Sequence, residues 1–140
     1  SPATVDQKAA MAALDTPASY FAEVVAEYQS RRDILVEGLR GIGIDVAPPQ
    51  GAFYLAVPLP VADADHFSKW LVEHFRLDGE TLCMAPLDGF YSTPGLGRNE
   101  VRLAYVLEQP VLHRCVRILE QGLRAYSSAG GTSVGDSNQS

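Results

Sequence analysis

The hydrophobic residues of this chain change their spacing several times, and this change of period limits the fold more than any other feature. From residue 17 to 39 the apolar residues recur at helical spacing over about five turns. Residues 110–126 return to that spacing after an initial proline. Between these two segments the apolar runs are shorter and mostly alternate with polar residues. The chain therefore combines long helices with short strands.

Four short segments predict strands, at residues 44–46, 52–57, 81–84 and 101–107. A helix is predicted from about Asp63 to Phe75, because its large apolar residues lie on one stripe. The element order is helix, strand, strand, helix, strand, strand, helix. This order favours an α+β fold, with a small mixed or antiparallel sheet of about three to four strands packed against helices.

The two ends of the chain are expected to differ from the centre. Residues 1–14 predict a short, separate helix, with Thr4 as its N-cap and Gln7 as the capping-box partner. After Ser127 the tail has no apolar face, which is typical of disorder. We therefore divide the chain into an N-terminal helix (1–16), a compact domain (17–127) and a disordered tail (128–140).

Composition excludes several classes of function. The chain has 11 basic and 17 acidic residues among 140, a net charge of −6, which disfavours binding to nucleic acid. No stretch approaches the roughly 20 apolar residues of a membrane span, and no signal peptide is visible. Cys83 and Cys115 are far apart and lack a CxxC partner. Free thiols in the reducing cytoplasm are the expected state.

The lysines and histidines give only weak evidence for a catalytic or metal site. Lys8 and Lys69 lie in no obvious dry or electropositive pocket, so both are expected to be ordinary surface lysines. His66, His74 and His113 lack the neighbours of a metal-ligand set, and no metal site is expected.

Arg102 is the residue that stands out. It lies in a strand whose neighbours are nearly all apolar, and a guanidinium is costly to bury unless it is paired. Ala104, two residues on, leaves room for a ligand carboxylate to accept two parallel hydrogen bonds. The alternative is an edge-strand arginine paired with Glu100 or Asp88. Spacing alone favours this alternative.

Three segments occur in a characteristic order. The chain opens with SPATVDQKAAMAAL, continues with PQGAFY at residues 49–54, and then has GLGRNEVRL at residues 95–103. With the expected helices between them, these segments resemble the C-terminal part of the class I/II aminotransferases. That family has fold type I, depends on pyridoxal 5′-phosphate and includes aspartate aminotransferase. The resemblance covers about residues 1–126.

The resemblance implies a homodimeric enzyme that transfers an amino group between an amino acid and a 2-oxo acid. Residues 17–127 match its small C-terminal domain, and residues 1–16 match the helix that leads from the large, cofactor-binding domain. Arg102 matches the arginine that grips the substrate α-carboxylate. Phe53 matches an aromatic position near the substrate pocket, although packing in the core would also explain it.

One departure from the family is important. The family's Schiff-base lysine lies in a serine-lysine motif upstream of the matched part, and neither Lys8 nor Lys69 fits that motif. The residues that hold the cofactor ring and phosphate are upstream as well. The resemblance therefore implies a fragment that supplies no catalytic residue or covalent cofactor site and is inactive alone. Pyridoxal phosphate would belong to the full-length enzyme.

Two alternatives stay open. A fold-type-I lyase, decarboxylase or carbon–carbon bond-forming enzyme would carry the same small domain, because fold does not fix function. A stand-alone, non-catalytic α+β interaction module is the other alternative, supported by the domain-sized length and the absent lysine motif. The alanine-rich first helix argues against it, since so short a chain offers this helix no evident partner.

Overall fold

The computed structural model describes residues 4–7, 21–46, 53–89 and 93–131. These residues form a mixed fold of helices and small sheets. The elements in chain order are β1 (Thr4–Asp6), α1 (Phe21–Gly41), β2 (Tyr54–Pro58), α2 (Ala64–His74), β3 (Thr81–Cys83), β4 (Ala85–Pro86), β5 (Glu100–Ala104) and α3 (Gln109–Ser128).

The main sheet has three antiparallel strands in the order β2-β5-β4. Its central strand is β5, which pairs along its whole length with β2, from Tyr54 opposite Ala104 to Pro58 opposite Glu100. The two-residue strand β4 pairs with the other edge of β5. Alternate residues of β5 therefore face the core, and Val101 and Leu103 are buried there.

A second, two-stranded sheet joins the N-terminal residues to the centre of the chain. Here β1 and β3 are parallel, with Thr4 opposite Thr81 and Asp6 opposite Cys83. The helix predicted for residues 1–14 is wrong at Thr4–Asp6, because β-branched Thr4 and Val5 pair with β3 instead. Gln7, the next residue, is helical, and the other residues of that predicted helix lie outside the described residues.

Gln7 connects the two sheets rather than capping a helix. Its side chain is 2% exposed. The amide Oε1 accepts a hydrogen bond from the Ala104 backbone N–H at 2.6 Å. The amide Nε2 donates to Cys115 Sγ on α3 at 3.7 Å. Because β4 is too short to reach Ala104, the Gln7 side chain supplies the partner that this end of β5 would otherwise lack.

Local capping interactions define the start of α2 and the end of α1. The Asp63 side chain caps α2 by accepting from the His66 backbone N–H. Gly43, at a φ of 88°, ends α1 in the left-handed region. Its N–H donates to the Arg40 carbonyl, and the N–H of Ile44 donates to the Leu39 carbonyl. This pair of bonds is a Schellman motif.

One core lies between the sheets and the helices. Phe67 of α2 is fully buried at its centre, and its ring meets that of Tyr126 on α3 edge-on, with 5.0 Å between centroids. The helix α3 lies close to α1 at Gly38, where a methyl group would stand 2.9 Å from Val116 Cγ2. Glycine at this position therefore permits the close approach of the two helices.

Most predicted elements are present, with three differences besides the one at Thr4–Asp6. Residues 44–46 keep the predicted alternation, with Asp45 exposed between two buried residues, but they form no strand within the described ranges. The strand β4 lies between the predicted strands 81–84 and 101–107, where no strand was predicted. Helix α3 continues to Ser128, and the Gly131 N–H donates to the Tyr126 carbonyl. The described chain is thus ordered to residue 131, past the predicted start of the tail.

Candidate functional site

Arg102 lies at the middle of the central strand, not on an edge. Its direct neighbours across the sheet are Ala56 on β2 and Ala85 on β4. Residues that are directly opposite share a face of the sheet. Arg102 is half-buried, and the two methyl side chains beside it are too short to cover its head group. The guanidinium therefore stands on a sheet face that its neighbours leave open.

The Tyr54 ring supports the guanidinium. Tyr54 is two residues before Ala56 on β2, so it is a diagonal neighbour of Arg102 on the same face. The guanidinium carbon lies over the Tyr54 ring at 5.2 Å from its centroid, within the range of a cation–π interaction. This contact restrains the arginine and occupies none of its five N–H donors.

The ion pair that spacing favoured for Arg102 is absent from the described part of the chain. Neither Glu100 nor Asp88 forms an ion pair there, and no hydrogen bond from the Arg102 side chain is found among those residues. Because Arg102 is on the central strand, the edge-strand interpretation is wrong. The geometry leaves the guanidinium fork available to a carboxylate from outside.

Phe53 is on the other side of the sheet. Its ring meets Tyr28 of α1 edge-on at 5.3 Å and lies 6.4 Å from the Tyr105 ring, centroid to centroid. By strand alternation it faces the core, opposite to Tyr54 and Arg102. The structure thus does not bring the two predicted site residues to one face. Core packing accounts for the contacts of Phe53 with Tyr28 and Tyr105.

Lys69 has the environment of a surface lysine. Its ammonium Nζ lies 3.0 Å from Asp65 Oδ2, and its side chain is 71% exposed. The hydrogen bond and charge of Asp65 raise the pKa of the Lys69 amine. A Schiff-base lysine needs the opposite shift, toward the neutral amine. Lys8 lies outside the described residues, so the described residues offer no group that fits a covalently bound pyridoxal phosphate.

The remaining titratable groups take part in local structure. His66 Nδ1 lies 2.7 Å from the Tyr126 hydroxyl, and His74 Nε2 lies 3.7 Å from Glu73 Oε2. Burial raises the pKa of the Cys115 thiol to about 11, so this group stays protonated at neutral pH. No cluster of three metal-ligating side chains occurs within residues 4–7, 21–46, 53–89 and 93–131.

Sequence reasoning identified Arg102 but missed its surroundings. The resemblance of the PQGAFY segment predicted Phe53 as the aromatic residue near the substrate pocket. In the structure the neighbouring Tyr54 contacts the guanidinium instead. Strand alternation puts adjacent residues on opposite faces, so only the register between β2 and β5 decides which aromatic residue meets Arg102. The role of Ala85 depends likewise on β4, a strand too short to recognise in the sequence.

None of the helices in the described part of the chain is long and apolar enough to cross a membrane.

Comparison with known proteins gives one consistent family. The family model for aminotransferase class I and II matches residues 1–107. The chain is 32% identical over 120 residues to LL-diaminopimelate aminotransferase 2 of a Nostoc species, covering 84% of this chain and 29% of that protein. It is 43% identical over 103 residues to LL-diaminopimelate aminotransferase of Dehalococcoides mccartyi, covering 74% and 25% respectively.

Solved structures give the same result. The N-succinyldiaminopimelate aminotransferase of Mycobacterium tuberculosis superposes with a TM-score of 0.63 at 26% identity, covering 79% of this chain and 28% of that one. An aromatic aminotransferase of Pyrococcus horikoshii shares the fold, with a TM-score of 0.63. The chain spans less than a third of the length of these relatives.

Proposed function

Because the chain belongs to the class I and II aminotransferases, we propose that it is the C-terminal small domain of a pyridoxal-phosphate-dependent aminotransferase. The intact enzyme transfers an amino group between an amino acid and a 2-oxo acid. The chain covers only 29% and 25% of two relatives with that activity, which supports assigning the rest of the machinery to a large domain. In this assignment the N-terminal residues lead from that domain, and residues 17–127 form the small domain.

Arg102 carries the proposal. Its guanidinium stands on an open face between Ala56 and Ala85, without an acidic partner among the described residues, and rests on the Tyr54 ring. A half-buried guanidinium on an open face keeps its N–H donors available to an incoming ligand. A carboxylate fits its planar fork with two parallel charge-assisted hydrogen bonds. We therefore assign the substrate α-carboxylate, which both an amino acid and a 2-oxo acid possess, to Arg102.

The contribution of this chain to the reaction is to position the substrate. A carboxylate gripped at both oxygens is held in a fixed plane, which fixes the position of the adjacent carbon and limits the orientations that its other bonds can take. Positioning of this kind removes an entropic barrier that the reaction would otherwise meet. Cofactor chemistry is assigned to the large domain, because Lys69 is held as a charged surface amine. The isolated chain is accordingly expected to be inactive.

The remaining assignments complete the proposal. Phe53 packs on the face opposite Arg102, so we assign it to the core that supports β2 and not to direct contact with the substrate. The partners of the chain are its own large domain and the second subunit of a homodimer. Cys83 and Cys115 are both free thiols, which supports a reducing compartment such as the cytoplasm.

A product assay tests the proposed activity. The full-length protein, loaded with pyridoxal phosphate, is incubated with panels of amino acids and 2-oxo acids, and the products are identified by mass spectrometry. We expect a new amino acid that carries the carbon skeleton of the added 2-oxo acid. Release of carbon dioxide or an eliminated side chain without a new amino acid would instead indicate a decarboxylase or lyase.

A trapping experiment tests the division between domains. The 140-residue chain is incubated with pyridoxal phosphate, reduced with borohydride and measured by intact mass. Because Lys69 is an exposed amine paired with Asp65 and nothing lowers its pKa toward that of a Schiff-base lysine, we expect no stoichiometric adduct. One stoichiometric adduct on Lys8 or Lys69, blocked by an amino acid, would show that the chain holds its own cofactor site.

A further inference from the structure

We propose that Tyr54 is a positioning residue for the carboxylate site, an inference that rests on the proposed role of Arg102. The Tyr54 ring holds the guanidinium in the orientation that receives the substrate carboxylate. The observation that carries this inference is the position of the guanidinium carbon over the ring, 5.2 Å from the centroid.

The lateral neighbours of Arg102 cannot provide this support. Ala56 and Ala85 are the residues directly opposite on the two flanking strands, and each offers only a methyl group. An arginine side chain has several rotatable bonds and loses considerable entropy when it is fixed. The aromatic ring on the diagonal position is the described group that restricts this freedom before substrate arrives.

A ring suits this task better than a carboxylate would. An acidic partner would accept hydrogen bonds from the guanidinium and would compete with the substrate for the same donors. An aromatic face attracts the cation through its quadrupole and leaves the N–H groups at the guanidinium edge unoccupied. Tyr54 thus holds Arg102 in place without filling its binding edge. The ring, rather than the hydroxyl, performs this function.

The ring face and the hydroxyl are separated by comparing two variants. Tyr54→Phe keeps the aromatic face, whereas Tyr54→Leu keeps a similar apolar bulk without the quadrupole. In the holoenzyme we expect Tyr54→Leu to lower kcat/KM for the amino acid roughly 3- to 30-fold, mainly through KM, and Tyr54→Phe to keep it close to wild type. Equal losses in the two variants would overturn the role of the ring.

A double-mutant cycle tests whether Tyr54 acts through Arg102. In an Arg102→Leu background, Tyr54→Leu should cause no further change in KM, because the guanidinium it positions is gone. An undiminished loss in that background would assign Tyr54 to a direct or structural role and overturn the inference. Thermal unfolding shows whether each variant is folded. Without this measurement, a loss of fold would be mistaken for a loss of coupling between Tyr54 and Arg102.

The contact between Tyr54 and Arg102 can also be measured by NMR, without an activity assay. In the 140-residue chain with labelled arginine, the Tyr54 ring current should shift the Arg102 side-chain proton resonances upfield. The shift should persist in Tyr54→Phe and disappear in Tyr54→Leu. If the product assay fails while this shift is present, the proposed function is wrong and the contact remains. If transamination occurs and the shift is absent, the positioning role of Tyr54 is wrong.

Discussion

Replacing Arg102 by alanine in the intact enzyme is expected to lower kcat/KM for the amino-acid substrate by roughly 30- to 4,000-fold. This range corresponds to the loss of a desolvated, hydrogen-bonded charge pair, about 2–5 kcal/mol. The substrate carboxylate would lose both of its bonds to the guanidinium fork and keep its charge. Steady-state kinetics with the amino acid, and separately with the 2-oxo acid, should show the loss for both substrates.

Two further variants identify the source of this loss. Arg102→Lys keeps the charge but not the planar fork, so we expect an intermediate kcat/KM. Arg98→Ala is the matched control, because Arg98 is four residues earlier, is 62% exposed and contacts Asp63 at 3.4 Å. It should leave kcat/KM close to wild type. An unchanged kcat/KM in folded Arg102→Ala would remove the carboxylate from this position.

Replacing Gln7 by methionine is expected to lower the free energy of unfolding of the chain by about 1–3 kcal/mol. Methionine matches the length of glutamine and preserves the packing, but it cannot accept the Ala104 N–H or donate to Cys115 Sγ. The Ala104 N–H would then be buried without a partner, and this desolvation dominates the cost. Denaturant titration followed by circular dichroism measures the change.

Gln29→Met provides the comparison for this measurement. Gln29 lies exposed on α1, so the same chemical change there should alter the free energy of unfolding by less than about 0.5 kcal/mol. If Gln7→Met and Gln29→Met have equal stability, the hydrogen bond to Ala104 does not hold the two sheets together. A lower stability confined to Gln7→Met would support the connection that the Gln7 side chain makes between the two sheets, here called the Gln7 bridge.

The helices were predictable because their information is local. Asp63 ahead of an apolar stripe predicts the start of α2, and the structure confirms it. Glycine at residue 43 likewise ends α1 by its own backbone geometry. The error at Thr4–Asp6 has a different origin. A capping box and an alanine-rich run favour a helix locally, but parallel pairing with a strand some 75 residues later is favoured instead.

Of the candidate site, the sequence singled out one residue of the sheet face, Arg102. An arginine among apolar strand residues is conspicuous because burying its charge needs a reason. Whether that reason is an internal ion pair or a ligand depends on which residues stand opposite, and the sequence does not contain that register. Ala56 and Ala85 are directly opposite Arg102, so neither flanking strand places an acidic residue there. The choice between Phe53 and Tyr54 depended on the same register.

The Gln7 bridge also constrains the order in which the molecule can fold. Its acceptor contact joins residues 97 apart in sequence, and its contact with Cys115 joins residues 108 apart. Gln7, next to β1, therefore depends on contacts with residues far along the chain. Closing a loop of this length carries an entropic cost that local helix formation does not. We therefore expect the Ala104 end of β5, two residues from Arg102, to gain this bond only after the local helices have formed.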